Sequence, residues 1–117
     1  MITDSVAIKG LPLGEYGDPK KGRTTTITAE GVGYLTGTNT LSGSCHKLSH
    51  ILDYAIHEAG IDIVTAMNAV TINPMKMLGI IDKGLIKEGY KADIAVFNDR
   101  FENQATYIDG KLFERKG

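Results

Sequence analysis

Glycine sets the first limit on this fold. Fourteen of the 117 residues are glycine, and residues without a Cβ mark tight turns and chain reversals. That density excludes a bundle of long helices and requires many short elements. The charged fraction of 23% and the hydrophobic fraction of 42% are those of an ordinary globular chain. The length allows one small domain or a piece of a larger one. A net charge of −1 without a basic stripe argues against nucleic acid or an acidic membrane surface as partner. No apolar run approaches the roughly 20 residues that span a bilayer, and no leader pattern directs export. Cys45 has no second cysteine to pair with. A cytoplasmic protein is expected.

Met1 to Thr3 is a short β-prone run that ends at Asp4. The text from Gly10 to Arg23 reads as loop. Thr24 to Ala29 is β-branched and predicts a strand, with Tyr34 to Thr36 as its partner after a turn at EGVG. GTNTLSGS follows as a second polar loop. The clearest helix is expected from Ser44, as N-cap, to Ala59, with Leu48, Ile51, Leu52, Ala55, Ile56 and Ala59 on its inner face and Gly60 as its left-handed terminator. Asp62 caps a second helix reaching Ile72, with Ile63, Ala66, Met67 and Val70 inward. Asn73-Pro74 stops it and starts another turn that ends at Gly79. Asp93 to Phe97 reads as a buried strand, and Asp109-Gly110 as a two-residue hairpin turn. A boundary is expected near Asp82 to Gly84. A lone first strand leaves its ladder groups unpaired, so its neighbours are expected outside this sequence or in a second copy.

The chemical candidates each have a plain alternative. Asp4 stands just past a strand, where barrel enzymes place catalytic groups; a loop or capping aspartate is the plain reading. Backbone N–H groups of Thr40-Leu41-Ser42-Gly43-Ser44 suit an anion; an N-cap turn is the plain reading. His46, His50 and His57 share one helical stripe opposite the apolar face, which points them to solvent rather than to a metal. Cys45 reads as packing, and the four methionines as core filler. The pairs Lys20-Lys21 and Arg115-Lys116 read as solvated surface.

Several stretches are more specific together than singly: MITDS, TLSGS, NPMKMLGI, GLIKEGYKADIAVF and TYIDGK. In this order they resemble the C-terminal portion of the N-acetylglucosamine-6-phosphate deacetylases of the amidohydrolase superfamily, from Met1 to about Lys111. The pattern of Gly84, Ile86, Gly89, Ala92 and Asp93 is shared widely across amidohydrolases; ITDS with TLSGS carries the narrower likeness.

The resemblance implies an α/β fold: residues 1–83 as the C-terminal part of a TIM-type (β/α) barrel, and residues 84–117 as strands of a small β-sandwich. It implies Asp4 as the catalytic proton shuttle and Leu41, Ser42 and Gly43 as the wall beside the bound amino sugar phosphate. It implies a divalent metal ion such as zinc, whose ligands lie upstream of this sequence. The chain is then a piece that is inactive alone, completed by a missing N-terminal portion or by homo-oligomerisation. Two further readings stay open: a non-catalytic assembly module, and a different amidohydrolase such as a nucleobase deaminase or a cyclic amidase.

Overall fold

The computed structural model describes residues 1–18, 20 and 22–113. Lys21, Arg115 and Lys116, expected on the surface, lie outside the described residues. The chain divides into two compact units, Ile2–Ile51 and Met1 with Leu52–Gly117.

The first unit is built on a four-stranded antiparallel meander. Strands β1 (Gly14–Asp18), β2 (Arg23–Ile27), β3 (Val32–Leu35) and β4 (Leu41–Ser44) pair in chain order. Strand β1 lies inside the segment expected to be loop. Glycine is the reason: Gly17 has φ 125, and a Cβ there would fall 2.6 Å from the Arg23 carbonyl oxygen. A residue that breaks strands elsewhere here lets two backbones approach. Hydroxyl pairs stitch the sheet, Thr26 to Thr36 at 2.9 Å and Thr25 to Ser42 at 3.2 Å. Among the described residues of this unit, Ile27 is the buried apolar side chain.

Two expectations fail here. Met1 to Thr3 forms no strand; its neighbourhood instead makes one isolated parallel bridge, Ser5 to Ser44. Asp4, at φ 48, breaks the extended chain between that run and the bridge. Ser44 ends strand β4 rather than capping a helix. Its hydroxyl accepts from His46 N–H at 2.9 Å, closing a local turn. Helix α1 (Leu48–His57) starts four residues later, with the Lys47 carbonyl accepting from His50 and Ile51.

In the second unit the apolar face of α1 buries Leu52 and Ala55 as expected, whereas Ala59, expected on the same face, is exposed because the helix ends at His57. Gly60 is left-handed at φ 67, and Ile61 N–H returns to the Ala55 carbonyl at 2.9 Å. Asp62 caps α2 (Ile63–Val70) by accepting from Thr65 N–H at 3.0 Å. Ala66 is 1% exposed, but Ile63, expected inward, is 54% exposed because it opens the helix at its rim. The helix breaks at Thr71 (φ −119, ψ −92), before Asn73-Pro74. Pro74 sits inside α3 (Ile72–Met77), in the first turn, where a missing N–H removes no helical bond. Met77 is 82% exposed and is not core filler, and Met1 is exposed too.

The closing β-part is a three-stranded antiparallel sheet, β5 (Ile94–Phe97), β6 (Asn103–Ile108) and β7 (Lys111–Leu112). The Asp109-Gly110 turn takes φ 48 and φ 75, and Ile108 faces Lys111 across it. Both sheets are antiparallel, and no barrel closes among the described residues. Among these residues no helix is long and apolar enough to cross a membrane.

Asp93 ties this hairpin to the segment before it. Its carboxylate accepts from Asp109 N–H at 3.0 Å and from Lys83 Nζ at 2.5 Å. The Asp109 N–H, then Lys83, hold the Asp93 carboxyl below its ordinary 3.8. Asp93 in turn holds the Lys83 ammonium above its ordinary 10.5. A depressed carboxylate supplies stability above its unfolded value that is withdrawn as pH falls through the folded value; a raised ammonium supplies stability below its unfolded value that is withdrawn as pH climbs through the folded one. In thermal melts, Asp93→Ala is expected to lower the midpoint at pH 7 and to flatten its fall below pH 3.8. Both groups are exposed, so 1 M salt should shrink the difference. A wild-type acid profile that the substitution leaves unchanged would rule the latch out.

Candidate functional site

Asp4 is where the first unit departs most from ordinary backbone geometry. It is one of three described non-glycine residues at positive φ. For an L-residue this region is costly, and such positions concentrate where the surroundings over-determine them. Here the surroundings are strand β4. Ser44 N–H donates to the Asp4 carbonyl at 2.8 Å, and Val6 N–H donates back to the Ser44 carbonyl at 3.0 Å. The two bonds bracket Asp4 and Ser5 against the strand end, while the Asp4 side chain stays exposed.

Strand β4 is the Leu41-Ser42-Gly43 segment singled out in the sequence. Gly43 is buried and has φ 143. A Cβ there would fall 2.5 Å from the Asp4 carbonyl oxygen and 3.0 Å from Val6 Cγ1. Asp4 and the Leu41 to Gly43 segment, widely separated in the chain, are therefore in contact. Leu41 and Ser42, which precede Gly43 in the strand, are exposed, and the Ser42 hydroxyl is 3.2 Å from that of Thr25. Within the segment read as a cradle for an anion or a polar ligand, Thr40 N–H is taken by the Thr38 hydroxyl and Ser44 N–H by the Asp4 carbonyl, so neither is free for a ligand.

Val6 was not singled out by sequence reasoning, and Ser44 was singled out for a helix cap rather than for this bracket, because each acts here through its backbone. The available signal was Gly43 itself, a glycine beside strand-forming text that marks close approach of another backbone.

The histidines do not converge. His46 precedes α1, its ring stacks on His50 at 4.4 Å and 20°, and its Nε2 lies 2.8 Å from the Glu30 carbonyl oxygen. His57 bonds Asp53 Oδ1 through Nδ1 at 2.8 Å. The Thr28 hydroxyl, then its own backbone N–H, hold the Glu30 carboxyl below the usual carboxylate range. Among the described residues no group of three His, Cys, Asp or Glu side chains could hold a metal ion.

The amidohydrolase family profile matches residues 23–113. The chain belongs to the amidohydrolase family. Within it, N-acetylglucosamine-6-phosphate deacetylase of Bos taurus is 31% identical over 114 residues, 96% of this chain and 27% of that protein. The Homo sapiens deacetylase is 30% identical over the same share. Adenine deaminase 2 of Carboxydothermus hydrogenoformans is 38% identical over 73 residues, 61% of this chain. Among solved structures, the N-acetylglucosamine-6-phosphate deacetylase of Thermotoga maritima superposes with a TM-score of 0.82 at 26% identity, over 98% of this chain and 31% of its own. That of Pasteurella multocida superposes at 0.84 and 23% identity, and speaks for the fold. This amidohydrolase chain thus spans little more than a quarter of the curated relatives it matches.

The backbone at Asp4 makes a stability prediction independent of chemistry. Asparagine tolerates left-handed φ and a β-branched residue does not. Asp4→Asn should leave the thermal midpoint of the protein carrying this chain unchanged. Asp4→Val should cost about 1–2 kcal/mol. Equal midpoints for the two variants would contradict the positive φ.

Proposed function

We propose that this chain is the C-terminal part of an N-acetylglucosamine-6-phosphate deacetylase. Its reaction hydrolyses the N-acetyl group of N-acetyl-D-glucosamine 6-phosphate to D-glucosamine 6-phosphate and acetate. The observation that carries the proposal is the contact of Asp4 with the strand of Leu41, Ser42 and Gly43. The contact is made by the Asp4 main chain and leaves its carboxylate exposed, free to serve the proton transfer that amide hydrolysis requires. Water adds to the acetamide carbonyl, the carboxylate of Asp4 takes the proton that water loses, and the C–N bond breaks as that proton reaches the departing amine. Leu41 and Ser42, exposed on the strand that Asp4 contacts through Gly43 and Ser44, are placed in this reading against the sugar.

The deacetylase reading is favoured over a nucleobase deaminase by coverage. The deacetylase relatives match 96% of the chain, and the adenine deaminase 61%. In this reading residues 1–83 complete a barrel and residues 84–117 a small sandwich. The described residues do not fit a divalent metal ion, since no three ligating groups converge. We place the ligands of any such ion outside this chain and assign no step of the reaction to it. A cytoplasmic location accords with the free Cys45.

An incomplete core supports the need for more protein around these residues. Among the described residues only Ile27, Leu52, Ala55 and Ala66 are buried apolar side chains, and Ile86 is 89% exposed. Apolar surface of this extent on a soluble protein is normally covered. Either the remaining length of a deacetylase or a second copy of the chain would cover it.

Two measurements test the proposal. The full-length protein carrying this chain should release acetate from N-acetyl-D-glucosamine 6-phosphate, and Asp4→Asn should lower kcat about 10²- to 10⁴-fold. The 117-residue chain alone should release none, with or without added zinc. Adenine deamination by the full-length protein in place of acetate release would hand the chain to the second reading.

A further inference from the structure

We infer that Gly43 is a positioning residue, which sets the catalytic carboxylate by leaving room for the backbone that carries it. The inference rests on the deacetylase reading for the role of Asp4, and deepens it. The two ends of the argument are separate observations. Asp4 has φ 48, a left-handed conformation that is uncommon outside glycine although aspartate reaches it more readily than most residues. Gly43 has φ 143, and any Cβ there meets the Asp4 carbonyl oxygen at 2.5 Å, a distance real Cβ atoms do not show. The Asp4 carbonyl cannot retreat from such a Cβ without stretching its 2.8 Å bond from Ser44 N–H. A side chain at position 43 therefore forces the Asp4 peptide to turn, and the carboxylate turns with it. General acid–base catalysis tolerates such displacement poorly, because a misplacement of about 1 Å costs on the order of 10²-fold.

The alternative role for Gly43 is direct contact with substrate, as the sequence resemblance implies. The two roles differ in what a methyl group would do. Lost contact raises KM, whereas a displaced proton shuttle lowers kcat. They also differ in rescue. The same Cβ falls 3.0 Å from Val6 Cγ1, and that crowding is relieved by Val6→Ala. The clash with the Asp4 carbonyl is not.

The test uses the full-length protein with N-acetyl-D-glucosamine 6-phosphate as substrate, measuring kcat and KM. Gly43→Ala is expected to lower kcat at least about 30-fold with KM within about twofold, an effect within the range of a misplaced catalytic group. Adding Val6→Ala should not restore it. Gly33→Ala serves as the control: the three atoms nearest a Cβ at Gly33 are Thr25 Cγ2 at 3.1 Å, Val6 Cγ1 at 3.2 Å and the Gly43 carbonyl oxygen at 3.4 Å, an ordinary contact, with no Asp4 atom among them; its kcat should stay within about threefold of wild type. If Gly43→Ala does not fold, Val6→Pro reaches the same bracket from its other rung. It removes the N–H that the Ser44 carbonyl accepts and leaves Gly43 intact. It should lower kcat and preserve KM. A rise in KM at constant kcat, or recovery of kcat with Val6→Ala, overturns the inference while leaving the deacetylase reading in place. Wild-type protein without acetate release, or Asp4→Asn at full activity, overturns the reading beneath it.

Discussion

The hydrogen bond from Ser44 N–H to the Asp4 carbonyl organises the first unit. It ends strand β4, holds Asp4 at positive φ and brings Val6 over two glycines of the sheet, Gly33 and Gly43. With Ile27 as the buried apolar side chain among the described residues of this unit, packing contributes little, and backbone ladders with threonine hydroxyl pairs carry the sheet. A site built on such a scaffold depends on where main chains are allowed to approach. Glycine controls that approach, at Gly17 within the meander and at Gly43 beside the carboxylate.

Where a local rule was sufficient, the sequence could be read directly. Asp109-Gly110 takes the turn that its residue types require, and Asp62 caps α2 with its own carboxylate. The α1 face of Leu52 and Ala55 followed from helical spacing. Where a distant partner decides, local chemistry misled. Serine ends strands and caps helices equally well, and Ser44 was drawn to the first role by a carbonyl near the start of the chain. Strand β1 was hidden because its glycines read as breakers. The break between α2 and α3 falls at Thr71 rather than at the conspicuous proline.

The candidate site was legible only in part, and for a related reason. Asp4 and the Leu41 to Gly43 segment were both visible as residue types, through their likeness to one family. Their contact was not visible, because a bridge between remote segments leaves no periodic trace. The bracket by Ser44 and Val6 is made of main-chain atoms, which any side chain but proline would supply. The amidohydrolase pattern around Gly84 to Asp93 shows the same logic elsewhere: Asp93 is fixed in place by the N–H of a turn that is built later in the chain.

The histidine contacts fix something further. A carbonyl oxygen only accepts, so the Nε2 of His46 that meets Glu30 carries a hydrogen, and the neutral ring has its lone pair on Nδ1. At His57 the carboxylate of Asp53 selects the opposite tautomer of the neutral ring, with the lone pair on Nε2. Two imidazoles of one short stretch of chain thus offer different ring nitrogens to an alkylating reagent, and the isomer formed would report which contact had held.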